Sequence, residues 1–559
     1  MPELNDEEEK RDIKLETLRH REAEELAQVL AGKYGITYID LSRITIEIDA
    51  LKLIGEEDAR AGELAVFQRV GKNLRVAVKS PEMLKTKDLL KNLSDQTYKV
   101  ELFMVSNTSL ERAWDKYKEV QSFEAVTGGL VSITPEHLAK YIAEINNIDQ
   151  YKEILTPLVA TRELRKVSDI LEVLLAGAYS LEASDIHLEP QEDSARLRLR
   201  LDGVLQDVLD FPMHVYELVV SRLKLIAALK INITDRPQDG RMTIRVNNID
   251  VEVRVSSMPG AYGESIVMRI LHPKSIDISF EDLGMSEPLK KMLEHELHRP
   301  NGMILTTGPT GSGKTTTLYT FIKKILSPEI KIITIENPVE YHIKGISQSQ
   351  VKPEENYGFA DALRSILRQD PDVILVGEIR DFETASTAMN AALTGHLVFS
   401  TLHTNNAFGT IPRFLDLGVS PSAIAPALNI AMAQRLLRLL CKECKKEIEA
   451  SIEEKETIAH LLSDLPEQLP KPDLSGTIKI FSPIGCVHCN NTGYHGRVGV
   501  YEAFRIDDDV EKIIMANPIE SEFRAAAIHQ GMMTMEQDGA MKVLNGITSV
   551  PELVRVLGN

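Results

Sequence analysis

Hydrophobic and polar positions follow different rhythms along this chain, and each change of rhythm marks where a new part begins. From Tyr34 to Val120 the short apolar runs ITYIDL, ELAVF and LRVAV alternate with helical stretches, which predicts a small α/β domain. The stretch VSDILEVLLAGAYSLE then has helical spacing. ARLRLRLDGVLQDVL, MTIRVNNIDVEVRVSS and ESIVMRIL follow, alternating with the period of half-buried strands. Beyond EDLGM the rhythm changes again. MILTT, KIITIE, DVILVGE and LVFSTLH are continuously apolar, as strands covered on both faces of a parallel sheet must be. TTTLYTFIKKIL, ADALRSILRQ and FETASTAMNAAL lie between them and suit right-handed helical crossovers.

These shifts predict an N-terminal partner-binding domain at 1–120 and a linker at 121–165 that holds Gly128, Gly129 and Pro135. A second α/β domain follows at 166–284 and an α/β core at 285–438. A cysteine-bearing subdomain at 439–492 and a helical C-terminal region at 493–559 complete the chain. Residues 1–30 are densely charged with spaced leucines, and are expected to form a solvated helix or a partly disordered arm.

The net charge of −19 opposes a phosphate backbone, so no nucleic-acid partner is expected, and an anionic membrane surface is disfavoured for the same reason. The longest apolar candidate, AIAPALNIAMA, contains Pro426 and Asn429 and is far short of the roughly 20 residues a bilayer requires. The acidic start MPELNDEEEKRDIK has no apolar region of the secretory kind. A cytoplasmic protein without direct membrane insertion is therefore expected, reaching the inner membrane only through partners.

The strongest chemical signal lies between MILTT and TTTLYTFIKKIL. Gly308, Pro309, Thr310, Gly311, Ser312, Gly313, Lys314, Thr315 and Thr316 have the G-x-x-x-x-G-K-T spacing of a phosphate loop, and a strand before and a helix after are the context it needs. Backbone N–H groups would close around ATP phosphates, Lys314 would reach the outer ones and the Thr315 hydroxyl would hold Mg2+. The other apolar runs end in Glu336 with Glu340, in Glu378 and in His403. Ligands bind at the carboxyl ends of parallel strands, so these groups should gather at the phosphates. Asp372 lies before its strand and Glu378 after it, roughly 20 Å apart at the usual rise, so they cannot share one magnesium. Glu378 is the metal-side carboxylate, acting through water, and Asp372 a cap at the far end. Glu340, brought back by the turn at Pro338, is the expected base for the attacking water, although either acidic residue there also suits a plain surface role. His403 would contact the γ-phosphate, whereas His396 is equally consistent with a structural role.

All four cysteines fall in two C-x2-C pairs, Cys441 with Cys444 and Cys486 with Cys489, separated by 41 residues. Two such knuckles suit one tetrahedral Zn2+ held by four thiolates, with Lys442, Lys445 and Lys446 offsetting the charge. A redox centre would need a single pair on a βαβ unit. His488 lies inside a knuckle whose shell is already filled.

GPTGSGKTTTLY, IITIENPVEY, LRQDPDVILVGEIRDFETA and TGHLVFSTLHTN resemble, in order, the Walker A, Asp box, Walker B and His box of the secretion-superfamily ATPases. EASDIHLEP, LRLDGVL and RPQDGRMTIR resemble the domain preceding that core, and AQRLLRLLCKEC with GCVHCNNTGYHGRVGVYE its C-terminal region. Within the superfamily the chain is most similar to type IV pilus assembly (extension) ATPases and type II secretion ATPases. The resemblance implies an α/β fold in which a RecA-like core follows a PAS-like domain and a small N-terminal domain. It also implies a homohexamer that drives an inner-membrane platform protein, with a cytoplasmic or inner-membrane adaptor as a further partner. It makes Glu340 the general base and Glu378 the Walker B carboxylate, and it adds Arg254 and Arg269 as charge-neutralising arginines acting across a subunit boundary. Asn337 stands where many relatives have aspartate, and Ser265 where an arginine is common. The N-terminal domain lacks an early Arg-Leu-Gly stretch seen in relatives that bind cyclic di-GMP, so that ligand is not expected. A nucleic-acid translocase on a similar core and a non-motor adaptor are the rival readings.

Overall fold

The computed structural model describes residues 22–41, 44, 46–51, 53–70, 73–95, 98–117, 135–160, 167–273, 278–352, 357–516 and 519–558. Most of the charged N-terminal arm and the glycines of the expected linker, Gly128 and Gly129, lie outside these residues. The chain divides into two units, one ending at Ser132 and one beginning at Ile133.

In the first unit four strands make one sheet in the order β1-β4-β3-β2: β1 (Thr37–Tyr38), β2 (Leu64–Val70), β3 (Asn73–Val78) and β4 (Lys99–Met104). β1 and β3 run parallel to β4, and β2 pairs antiparallel with β3. Leu64, Val66, Val76 and Val78 are fully buried with Phe67, which meets Phe103 edge-on at 5.6 Å. Helices α1 (Leu84–Asp95) and α2 (Asn107–Asp115) belong to the same unit, and the single tryptophan, Trp114 on α2, donates its indole N–H to the Leu64 carbonyl.

The second unit starts earlier than the residue pattern suggests. Two helices, α3 (Pro135–Glu144) and α4 (Ile148–Val159), occupy part of the expected linker and pack on α5 (Val167–Ser180). Leu138, Ile145, Tyr151 and Leu155 recur at helical spacing and are fully buried, so these residues form core and do not link domains. The alternating segments form the antiparallel sheet β7-β6-β5-β10-β9-β8. Its strands are β5 (Asp185–Pro190), β6 (Ser194–Leu201), β7 (Val204–Pro212), β8 (Gln238–Val246), β9 (Ile249–Gly260) and β10 (Gly263–Ile270). Along β6 buried Ala195, Leu197, Leu199 and Leu201 alternate with outward arginines. Helix α6 (Met213–Ile226) and α5 share the apolar core with the inward side chains.

The continuously apolar runs build a seven-stranded sheet in the order β13-β12-β14-β15-β11-β16-β19. In chain order these are β11 (Gly302–Thr307), β12 (Ile332–Glu336), β13 (Ser347–Gln350), β14 (Val373–Val376), β15 (Leu397–Leu402) and β16 (Leu428–Leu440). All six run parallel. The helices that flank them include α7 (Glu287–Leu297), α8 (Lys314–Ile325), α9 (Phe359–Ile366) and α10 (Phe382–Leu393). After the small antiparallel pair β17 (Lys446–Glu449) and β18 (Lys479–Ser482), the C-terminal region, expected to be helical, instead opens with the 12-residue strand β19 (Tyr494–Arg505), which pairs antiparallel with β16. The pair leaves the sheet edge covered, and Val500 and Phe504 are fully buried on it. The helices after β19, α11 (Met535–Leu544) and α12 (Val550–Leu557) among them, then dock on β16 and β19.

One glycine fixes the packing of the second unit's helices. A Cβ at Gly177 on α5 would lie 2.3 Å from the ring of the fully buried Tyr151 on α4. Gly177→Ala adds helix propensity worth about 1 kcal/mol, but the clash outweighs it at about 1–3 kcal/mol. The variant is expected to unfold at lower temperature than the wild type in a calorimetric scan, and a raised midpoint would contradict this packing.

Candidate functional site

The chain leaves β11 at Thr307 and enters α8 at Lys314, and between them Gly308, Gly311 and Gly313 take φ values of 145°, 80° and 89°. Side chains with a Cβ avoid this region of backbone conformation. At Gly308 a Cβ would also sit 2.6 Å from the Gln434 carbonyl and 2.7 Å from Ser312 Oγ. Helix α8 begins at Gly313 with no side-chain cap, so its first N–H groups and dipole point to an anion at this end. Among the described residues, buried Ser312 Oγ has no hydrogen-bond partner. Lys314 Nζ donates to the carbonyls of Gly308 (2.7 Å) and Pro309 (3.1 Å), across the loop. Burial, with the neighbouring Arg435 guanidinium, pushes its ammonium down to about 8 against the pull of Glu378. These features fit the phosphates of ATP. Thr310, Gly311 and Thr315 lie exposed along the loop and at the start of α8, beside Thr316.

The strand ends meet here. Glu378 follows β14, and its Oε2 lies 2.8 Å from Arg380 Nε and 3.3 Å from His403 Nε2 beyond β15. Thr315 and Glu378 are the pair that could hold Mg2+. Asp372 lies at the opposite end of β14, where its carboxylate accepts the Lys331 N–H at 2.7 Å. His396 Nδ1 lies 3.0 Å from the Ala391 carbonyl at the end of α10, away from the phosphate loop's end of the sheet.

The two acidic residues of IENPVEYH differ. Glu336 is buried and bonded to Tyr319, Thr334 and Gln348, which commits it to structure. Glu340 is partly exposed and accepts from Arg254 at 2.6 Å, while the same guanidinium donates to the Val339 carbonyl at 2.8 Å. Arg254 stands in a cross-strand row with Arg241, Arg269, Asp185 and Arg200. Opposed residues of neighbouring strands share a face, so the row is a basic stripe. Buried Asp185 takes Arg269 (3.0 Å) and Arg200 (3.2 Å), and Arg254 alone of the row is bonded to the core's Glu340. Arg269 therefore lies within the second domain's own sheet, engaged with Asp185, and is not brought to Glu340.

The four cysteines, distant in sequence, converge with their sulfurs within 4.8 Å of one another, and none forms a disulfide. Sγ–Sγ separations of 3.9, 3.8 and 3.7 Å match the edges of a tetrahedron whose metal–sulfur bonds are about 2.3 Å. The N–H groups of Cys486 and Gly493 both donate to Cys489 Sγ at 3.2 Å, as they would to a thiolate. The knuckles close the far ends of β16 and β19, where the Cys441 N–H reaches the Gly493 carbonyl at 2.9 Å. Asn490, held at φ 50° just after Cys489, accepts from the Ile148 N–H of α4 at 2.8 Å.

Two residues of the site carry no motif of their own in the sequence. Gln434 is buried under the phosphate loop and donates to the Ser312 carbonyl at 2.7 Å, and Arg435 follows it. Their only signal was the AQRLL run, whose position beside the loop depends on strand order.

Two family models match the chain: "Type II/IV secretion system protein" over residues 161–555 and "MshEN domain" over 34–123. The chain is 36% identical over 539 residues to the type IV pilus assembly ATPase PilB of Myxococcus xanthus, spanning 95% of this chain and 91% of that one. It is 44% identical over 388 residues to the type II secretion system protein E of Dickeya dadantii, spanning 69% and 75%. The solved ATPase DotB of Yersinia pseudotuberculosis shares the fold, with a TM-score of 0.50 at 20% identity over 71% of this chain and 94% of that one.

The Asn490 contact yields a direct test of the cysteine clamp. Replacing Cys486 and Cys489 together by serine is expected to speed hydrogen exchange at the Ile148 amide by at least about tenfold, the loss of roughly one net hydrogen bond. Unchanged exchange there would mean that the clamp does not hold Asn490.

Proposed function

The chain belongs to the type II/IV secretion system protein family of ATPases, and from that premise we propose that it is a hexameric cytoplasmic motor that hydrolyses ATP to assemble type IV pilus subunits through an inner-membrane platform protein. The observation that carries this reading is length. Similarity to the pilus assembly ATPase of Myxococcus xanthus runs through 95% of the chain, N-terminal unit included. The higher identity to the type II secretion protein of Dickeya dadantii covers 69% and favours a secretion motor as the second reading. An adaptor at the membrane, engaging the N-terminal unit, belongs to either machine.

In this reading the phosphate loop binds ATP through its N–H groups and Lys314. Thr315 and Glu378 would hold Mg2+, which would supply charge neutralisation at the outer phosphates. Glu340 takes the proton of the attacking water, and His403, set against Glu378, faces the γ-phosphate. Arg254 engages the Glu340 carboxylate within the chain, so that carboxylate must be released before it can take a proton. Release frees a guanidinium from the basic stripe, which includes Arg269, to face phosphate charge across a subunit boundary. The second domain's swing would thereby be tied to hydrolysis. Cys441, Cys444, Cys486 and Cys489 hold Zn2+, which is structural because four sulfurs close its shell.

Complementation separates the two machines. Expression in a host lacking its pilus assembly ATPase is expected to restore surface pili, whereas rescue of exoprotein release alone would favour the secretion reading. Lys314→Ala is expected to abolish ATPase turnover. Glu340→Gln should bind ATP with near wild-type affinity and hydrolyse it at least about a hundredfold more slowly; parallel loss of binding would make Glu340 structural. Elemental analysis is expected to find one zinc per chain, lost in the double cysteine variant.

A further inference from the structure

β16 runs beside β11 in the register Thr306 with Met432 and Thr307 with Ala433. It continues where β11 stops, so Gln434 and Arg435 flank the opening of the phosphate loop. Gln434 is absorbed by its bond to Ser312. Arg435 is harder to account for as structure. It is partly buried, and burial lowers its affinity for its proton. Glu502 and Glu536 act on it only through space, and among the described residues it has no carboxylate in ion-pair contact. Holding a guanidinium in such a place costs free energy that a structural cation would recover from a paired anion.

Its contacts explain where it looks. One terminal nitrogen donates to the Gln434 carbonyl at 3.0 Å, beside Gly308, and the other to the Asn405 carbonyl at 2.8 Å. Asn405 lies two residues after His403. The same loop is tied to β11 by Thr307, whose hydroxyl accepts the Thr404 N–H at 2.8 Å. Behind it, buried Glu502 on β19 accepts the Ala407 N–H at 2.8 Å. Arg435 also acts through space on Lys314. Two cations at one loop repel each other, and the repulsion is offset only when a multiply charged anion lies against them and attracts both.

We propose that Arg435 is a positioning residue of ATP hydrolysis: it carries the second resident positive charge at the phosphate loop and, through the Asn405 carbonyl, sets the His403-bearing loop according to the phosphate charge bound there. The proposal rests on the ATPase reading. It differs from a charge supplied across a subunit boundary, because β16 and the phosphate loop belong to the same sheet of the same chain.

Full-length Arg435→Lys and Arg435→Gln, with Lys314→Ala alongside, test it. The lysine keeps the charge but has no second nitrogen to hold Asn405. In Arg435→Gln the dissociation constant of a fluorescent ATP analogue is expected to rise about tenfold, and in Arg435→Lys less than about threefold, while kcat falls at least about tenfold in both. Hydrogen exchange at residues 403–407 should slow when wild-type protein binds a non-hydrolysable ATP analogue, and not in either variant. Wild-type kcat in both variants overturns the proposal, and so does equal loss of affinity in both with unchanged nucleotide-dependent protection of the loop. Should Arg435→Gln fail to fold, the kcat and the loop protection of Arg435→Lys decide. If wild-type protein does not hydrolyse ATP, or Lys314→Ala hydrolyses it normally, the ATPase reading itself fails. Activity lost in Lys314→Ala and intact in both Arg435 variants defeats only the proposal.

Discussion

The buried amide of Gln434 is the contact on which the phosphate site depends. Its side-chain N–H donates to the Ser312 carbonyl, and its own backbone carbonyl occupies the space where a side chain at Gly308 would have to go. The loop is thus shaped from below by a strand that arrives more than a hundred residues later in the chain. Glycine at 308 is required by this floor as well as by its backbone angle. Because β16 is also paired along its length with β19, the floor is anchored in the sheet and not in a surface loop. Rigid support of this kind keeps the N–H groups of the loop aimed at one place, which is what electrostatic stabilisation of transferring phosphate demands.

Past Leu440, at the end of the same strand pair, stand the cysteines. The two knuckles clip together the point where the chain leaves β16 and the point where it enters β19, although an insert separates them in sequence. The turn they impose presents Asn490 to the N-terminus of α4. A second bond, from the Gly496 N–H to Asp202 in the β6–β7 turn at 2.9 Å, joins the strand pair to the domain that carries Arg254. One strand pair therefore supports the phosphate loop at its middle and meets the second domain at its far end.

The second domain also meets the core at Arg254 and Glu340. Arg254 is one of several arginines in a cross-strand row, and the others are exposed or drawn to Asp185. A row of like charges is costly unless anions lie against it, and among the described residues Asp185, Glu340 and Glu252, the last 3.1 Å from Arg254 Nε, are so placed. The Glu340 carboxylate is partly exposed, so this contact is weak enough to exchange for another partner. The buried Glu336, three times bonded, is not.

Much was legible in the chain itself. The period-two and continuously apolar runs marked both sheets, because alternation and double-sided burial leave direct traces in side-chain polarity. The phosphate loop was legible because its chemistry is local: glycine spacing, strand before and helix after. The cysteine pairs were legible because so few thiols leave little choice of partner. Strand order left no such trace. That β16 lies beside β11, putting Gln434 and Arg435 at the phosphate loop, follows from pairing across more than a hundred residues. That the C-terminal region opens with β19 follows from the need to cover the edge of β16. The helices at 135–159 looked like linker because their apolar positions have meaning only once α5 lies against them. Which of two neighbouring glutamates remains available was likewise decided by packing: Tyr319 and Gln348 close on Glu336, and Arg254 reaches over from another domain to Glu340. Local chemistry is written in sequence, whereas the partners that tune it are assembled only by the fold.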